Sequence, residues 1–173
     1  MSAKGQTTMI FLLLIVIIFV GMGAFLLSVA RTVSQSEYLN LYTTNLLLSV
    51  MRADTGFTDP KCKTVSDTLA CAFLSPSYAC GSESCLTLSD SLVNDYMQQF
   101  GIIKKGFGYF LAVETEGFVV RDPSGNLRVV EIGDPSLKNA KTEKFTATER
   151  IQDILEGRSY ILTVKLTIAK KEP

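Results

Sequence analysis

The chain contains no histidine and no tryptophan in 173 residues. Without histidine, every Ser-His-Asp or Cys-His catalytic arrangement is excluded, as is any Cys2His2 metal knuckle. Charge of one sign is also lacking in excess: Lys and Arg number 17, as do Asp and Glu. A balanced chain has no electrostatic footprint for nucleic acid, and no nucleic-acid partner is expected. No G-x-x-x-x-G-K or G-x-G-x-x-G phosphate cradle is present. Gly101, Gly106 and Gly108 in GIIKKGFG, beside Lys104 and Lys105, are wrongly spaced for either and read as a helix-to-strand connection. Asp54, Asp59 and Asp67 do not follow a calcium-loop pattern. Glu114 and Glu116, two apart on a strand, share a face but flank Gly117 at a hairpin end, where solvated glutamates are expected. No catalytic residue, cofactor or metal is assigned, and enzymatic function is not expected.

A further absence is local. No charged residue occurs between Gln6 and Ala30, and from Met9 the chain reads MIFLLLIVIIFVGMGAFLLSVA, flanked by Lys4 and Arg31. At about 1.5 Å rise per residue, these roughly 22 residues reach across a hydrocarbon core of about 30 Å. Ser28-Val29-Ala30 could pass as a signal-peptidase site. However, the apolar run before it exceeds the usual signal-peptide length of about 7–15 residues, so a retained anchor is the better reading. The run is apolar all round, which suits lipid or like helices rather than a core of its own. Gly21 and Gly23 do not make a GxxxG pair, and with one basic residue on each side the charge does not fix orientation.

Ahead of this run is a short polar leader, Met1-Ser2-Ala3-Lys4-Gly5-Gln6. Over about the first 30 residues, the Lys-Gly-Gln leader and apolar helix resemble the class III signal of archaeal type IV pilin-like proteins. The resemblance implies cleavage of the Gly5–Gln6 bond by a prepilin peptidase and a mature chain opening on its hydrophobic helix. It also implies a filament, or another homo-oligomer, built through that helix. Bacterial type IV pilins usually carry glutamate at the fifth mature position, whereas Ile10 stands there, which argues against the bacterial branch. Whether the leader is pilin-like or simply a few polar residues before an anchor, the carboxyl part is expected outside the cytoplasm.

The cysteines fit that placement. Cys62, Cys71, Cys80 and Cys85 form an even, clustered set, which in an oxidising compartment reads as a disulfide framework. Four cysteines allow three pairings. Cys62–Cys71 with Cys80–Cys85 is the expected one, since each closes a short local loop. The zinc alternative is disfavoured because the intervals are uneven and longer than paired C-x2-C knuckles.

Composition indicates an ordered body, with 47% hydrophobic and 20% charged residues, close to globular averages. After Arg31 a helical pattern continues from Ser34 to Met51. Leu39, Tyr42, Leu46 and Val50 recur on one stripe, widened by Tyr38, Leu41, Leu47, Leu48 and Met51, and Asp54-Thr55-Gly56 supplies a stop. Val65 to Phe73 is expected to be a short helix capped by Thr64 or Ser66. A second has Leu88, Leu92, Tyr96 and Phe100 on one face, Ser89 or Thr87 as its cap and Gly101 as its stop. Past Gly101 the period becomes two. Tyr109–Thr115, Phe118–Arg121 and Leu127–Ile132 read as strands, the last two joined by the turn Asp122-Pro123-Ser124-Gly125. From Tyr160 to Ala169 apolar residues alternate with mostly polar ones, which suits an antiparallel sheet covered on one side, with the long helix as cover. Thr148 to Leu155 reads as either a short helix or an additional strand. Phe107, Tyr109, Phe110 and Phe118 cluster around the first hairpin, as core residues by preference and as a binding surface otherwise.

The resulting expectation is an α+β protein with four segments. Residues 1–5 are a leader and 6–30 a transmembrane helix; 31–53 continue it as an amphipathic helix, making a rod that packs on a small antiparallel sheet; and 54–173 are a disulfide-stapled extracytoplasmic head. Met9, Phe11, Leu14, Ile18 and Phe25 would face membrane lipid and then a filament core. The function so implied is that of a pilin-like structural subunit of an archaeal surface filament, its head exposed for adhesion or surface contact. The alternatives are a permanently anchored extracytoplasmic binding module that never polymerises and an accessory component of a secretion or assembly machine.

Overall fold

The computed structural model describes residues 3–104, 106–121, 125–139, 142–155 and 157–170, the side chains of 3–11, 30–35 and 155 excepted. The chain divides into two compact units, Met1–Leu39 and Asn40–Pro173. Helix α1 (Ala3–Met51) runs without a break, since no proline interrupts it and Gly21 and Gly23 sit in open space. Its segment Leu12–Val29 has a mean hydropathy of 2.9 and no buried residue. From Thr43 onward the helix changes character: Thr43, Leu46, Leu47, Val50 and Met51 are buried in the second unit, while Tyr38 and Leu41 stay exposed. Gly56, at a φ of 82°, turns the chain after the helix ends.

Helix α2 (Val65–Leu74) opens on a complete capping box. The Thr64 hydroxyl accepts from the Asp67 amide and the Asp67 carboxylate accepts from the Thr64 amide. At its other end, the Arg128 guanidinium donates to the carbonyls of Phe73 and Leu74, at 3.0 and 3.2 Å, where the helix leaves acceptors unpaired. A minimal hairpin follows, β1 (Ala79–Cys80) and β2 (Glu83–Ser84), turning at Gly81. Helix α3 (Cys85–Gln99) starts earlier than the pattern predicts, because Ser84 and not Ser89 or Thr87 is its cap. Helix α3 ends at its C-cap Phe100, just before the expected stop Gly101, which itself opens the single turn α4 (Gly101–Lys104), and GIIKKGFG is a helix-to-strand connection; Lys105 lies outside the described residues.

Two disulfides staple this region, Cys62–Cys80 and Cys71–Cys85, with Cα separations of 5.9 and 5.7 Å. The expected pairing of sequence neighbours is thus corrected to an interlaced one. The pairing follows from the packing of α2 on α3, which sets Cys71, within α2, against Cys85 at the start of α3 and leaves Cys62 to Cys80.

The main sheet has the order β4-β3-β6-β5 and is antiparallel throughout. It comprises β3 (Phe107–Thr115), β4 (Val130–Gly133), β5 (Lys144–Leu155) and β6 (Arg158–Lys170). Thr148 to Leu155 is therefore strand. The expected 118–132 hairpin shrinks to a single bridge, Arg121 with Leu127, and β4 pairs with β3 instead. Asp122, Pro123 and Ser124 of the expected turn lie outside the described residues. A 3₁₀ turn (Pro135–Lys138) follows β4, after Gly133, whose φ is 96° and where a Cβ would collide with the Tyr109 carbonyl oxygen.

Period-two alternation gives the sheet two faces. Leu111, Val113, Val130, Ile132, Ala147, Leu162, Val164, Leu166 and Ile168 point into the core with α2, α3 and the end of α1. The helices whose backbones pack on this face are α2, against β4 and β5, and α3, against β4. The long helix enters the core through Leu46, Leu47, Val50 and Met51 and is not the principal cover. Tyr109 and Phe110 are both buried, on opposite faces, and Phe118 packs edge-on against Tyr160 with centroids 5.0 Å apart. The first-hairpin aromatics are therefore packing residues.

Candidate functional site

On the outer face of the sheet, polar groups from several elements converge. Register sets its rows. Glu131, Ala112, Lys165 and Thr148 form one line across β4, β3, β6 and β5. Phe110, Thr167 and Thr146 form the next line on one side, and Glu114, Thr163 and Arg150 the next on the other. Rows on one face lie two residues apart, about 7 Å along a strand. The alternation that buries Leu162, Val164, Leu166 and Ile168 obliges Thr163, Lys165 and Thr167 to face away from the core.

The 3₁₀ turn closes one end of this face. Leu137 lies across Phe110, Ala112 and Ala169, making a small second apolar cluster, and so buries residues that would otherwise face solvent. A recess of about 150 Å³ remains beside it, lined by Lys138, Lys144, Thr146, Lys165 and Thr167, with Phe110 and Ala112 beneath and Glu114 at the far end. Lys138 is held by Glu131 at 2.5 Å and sits 5.7 Å from the Phe110 ring centroid; Lys144 donates to the Lys138 carbonyl at 3.0 Å. Towards the other end, Glu114, Glu116, Thr148, Glu149, Arg150 and Thr163 line an open trough of about 640 Å³. Arg150 pairs there with Glu116 at 2.8 Å. Both side chains are exposed, so the pair adds little to stability, at most about 1 kcal/mol. Hydroxyls, ammonium groups and carboxylates in this arrangement can recognise a polar solute by hydrogen bonds and charge.

On the opposite side of the fold the four cysteines form a buried sulfur cluster. The Sγ atoms of Cys62, Cys80 and Cys85 lie within 4.8 Å of one another, and Cys80 and Cys85 approach to 3.3 Å between the two disulfides. That proximity alone would suit a thiolate metal site. Sulfurs spent in disulfides cannot serve as thiolate ligands, however, and all four are so spent. Nearby, Tyr78 donates to the Asp59 carboxylate at 2.7 Å and the Lys61 amide donates at 2.9 Å. The Tyr78 bond first, then the amide, holds Asp59 below its ordinary range; Asp59 in turn raises Tyr78. Tyr109 is pushed up to about 12, by burial first and the Asp90 charge second, and its hydroxyl donates to Asn94 Oδ1.

Of the residues singled out in sequence, Cys62, Cys71, Cys80 and Cys85 meet in one cluster. Leu14, Ile18 and Phe25 are exposed on α1 at 53%, 56% and 67%. Gly5, Gln6, Met9 and Phe11 belong to the same helix by backbone, with side chains outside the described set. Glu114 and Glu116 do line one trough, yet Glu116 is engaged by Arg150. The lysine recess was not foreseen; the available signal was the polar half of the 160–169 alternation. No family model, curated protein or solved structure matches the chain.

Proposed function

We propose that the chain is a membrane-anchored, pilin-like structural subunit whose head, from about residue 54, is displayed outside the cytoplasm. The observation that carries this reading is the Leu12–Val29 segment, eighteen residues without charge and without one buried side chain. Such a surface needs a cover, and at about 27 Å its length suits a bilayer core of about 30 Å. Lipid would cover it in the membrane, and like helices in a filament core would cover it as well, because packing in either setting excludes water from the same side chains. Two disulfides, in a chain whose only four cysteines are all paired, favour an oxidising exterior for the head. The Lys-Gly-Gln leader supports processing between Gly5 and Gln6 by a prepilin peptidase. A non-polymerising anchored module is the second reading, favoured by the recess on the outer face of the sheet, which would serve a binding head equally well.

Intact-mass and N-terminal peptide analysis of protein from its native membrane tests the assignment. A processed subunit begins at Gln6 and is recovered from sheared extracellular filaments. A chain beginning at Met1 or Ser2 and confined to membranes leaves only the anchored module. Recovery of full-length protein from the cytosol with alkylatable thiols overturns both.

A further inference from the structure

We propose that the recess between the 3₁₀ turn and the outer face of the sheet binds a phosphate group on a small soluble molecule. The ligands would be Lys165, Lys144, Thr146 and Thr167. The inference does not depend on the filament reading and survives its failure.

Three elements bring ammonium groups to one end of the face: Lys138 from the 3₁₀ turn, Lys144 from β5 and Lys165 from β6. They are not equivalent. Lys138 is neutralised by Glu131, while Lys144 is tied only to a backbone carbonyl. Among the described residues Lys165 has no ion pair, and the hydroxyls of Thr146 and Thr167, which face each other in register, have no hydrogen-bond partner. Thr167 is only 7% exposed as a residue, yet its hydroxyl oxygen reaches the recess and is open to a solute there. One ammonium group without an ion pair, a second held only by a backbone carbonyl, and two hydroxyls beside them are the donors a multi-oxygen anion requires.

The number of donors favours phosphate over carboxylate. Lysine is a point charge that attracts either anion, but ammonium groups and hydroxyls from two strands around one recess suit three terminal oxygens better than two. Arg150 lies in the next row and is paired with Glu116. A recess of about 150 Å³ falls below the roughly 300–1,000 Å³ of drug-sized sites and admits one charged group rather than an extended chain. Phe110 and Ala112 give the rest of the ligand an apolar floor. Glu114, two residues beyond Ala112 on the same strand face, marks the far end and would repel an anion placed there, confining phosphate to the lysine end.

The test uses full-length protein in neutral detergent micelles, with amide NMR spectra recorded during titration with sodium phosphate against chloride at matched ionic strength. Saturable shifts centred on Thr146, Lys165 and Thr167 are expected, reproduced by glycerol phosphate and weaker with acetate. Lys165→Met should weaken phosphate about fivefold, and Glu114→Gln should tighten it about threefold, as charges at about 4 and 7 Å in water would. Lys63→Met, on an exposed loop, should leave affinity unchanged. Shifts that match those in chloride, that centre elsewhere, or that persist at full affinity in Lys165→Met would overturn the assignment. A native-like spectrum of Lys165→Met without phosphate separates loss of binding from loss of fold.

Discussion

The interlaced cystines make the sharpest structural prediction. Cys62–Cys80 spans 18 residues and Cys71–Cys85 spans 14. By loop-closure entropy, a bond closing a loop of either size stabilises the fold by about 3 kcal/mol. The stretch from Cys71 to Cys80 belongs to both loops, so the two gains are not independent and their joint removal should cost less than about 6 kcal/mol. Against a typical domain stability of about 5–15 kcal/mol, either loss is large. The perturbations are Cys62→Ser with Cys80→Ser, and Cys71→Ser with Cys85→Ser, each measured by urea unfolding of the full chain in micelles beside the parent protein. Each pair should lower stability by about 3 kcal/mol, with no free thiol in either. Connectivity is read separately, by non-reducing peptide mapping with cleavage after Lys63, Phe73, Tyr78 and Glu83, which isolates every cysteine on its own fragment. The fragment carrying Cys62 should be linked to that carrying Cys80. Linkage of Cys62 to Cys71, or a loss below about 1 kcal/mol for both paired variants, would refute the reasoning.

Three further outcomes follow from local geometry. Gly133→Ala forces a β-carbon against the Tyr109 carbonyl at a φ of 96° and should cost at least about 2–3 kcal/mol, whereas Gly157→Ala, strained by φ alone, should cost about 1; paired thermal melts decide. Arg128→Met removes the donor that serves the last carbonyls of α2 and should lose about 1–2 kcal/mol, with faster amide exchange confined to the end of that helix. Tyr109 has a folded pKa raised from 10.0 to about 12, so the folded state holds the proton more tightly than the unfolded one. The stability this adds is complete below pH 10 and is lost as pH rises towards 12. Denaturant melts should show wild type losing ground to Tyr109→Phe across that window, and parallel pH profiles would refute the assignment.

Local signals suffice wherever one element carries its own period. The apolar run of α1 and the strict alternation of β6 each repeat over several turns or rows, so neighbours in sequence define them, whereas the choice of Thr64 over Ser66 as the cap of α2 is settled by the reciprocal bond with Asp67. The segment from Lys144 to Leu155 was ambiguous for a physical reason. Phe145, Ala147 and Ile151 alternate as a strand should, but Glu149 and Asp153 fall on the same inward-facing set, and the composition contains good helix formers. An edge strand resolves the conflict, since charges there can reach water past the rim of the sheet. Glu149 is indeed only half-buried opposite Val164. The 127–132 segment is β-forming from Val130, as its pattern indicates, but it pairs with β3 and not with 118–121. Choice of partner is a long-range matter, and β3 offers Leu111 and Val113 to Ile132 and Val130 in a way the short 118–121 segment cannot.

The sites divide along the same line. Preference for short disulfide loops takes sequence neighbours as partners, and here packing overrides it: α2 lies on α3, so Cys71 meets Cys85 although Cys62 belongs to the same sulfur cluster. The close approach of Cys80 to Cys85 then becomes a contact between two bridges rather than a bridge itself. The pairing is a long-range outcome of α2 packing on α3, which the spacing of the cysteines does not carry. The lysine recess is long-range in the same sense. Lys138, Lys144 and Lys165 are brought together by a register joining β5 to β6 and by a turn that leaves β4. Only the expectation that Thr163, Lys165 and Thr167 share a non-core face was local. A face that is polar in sequence is usually just the solvated side of a sheet. It becomes a candidate site here because Leu137 folds back over Phe110 and Ala112 and turns a flat surface into a concave one.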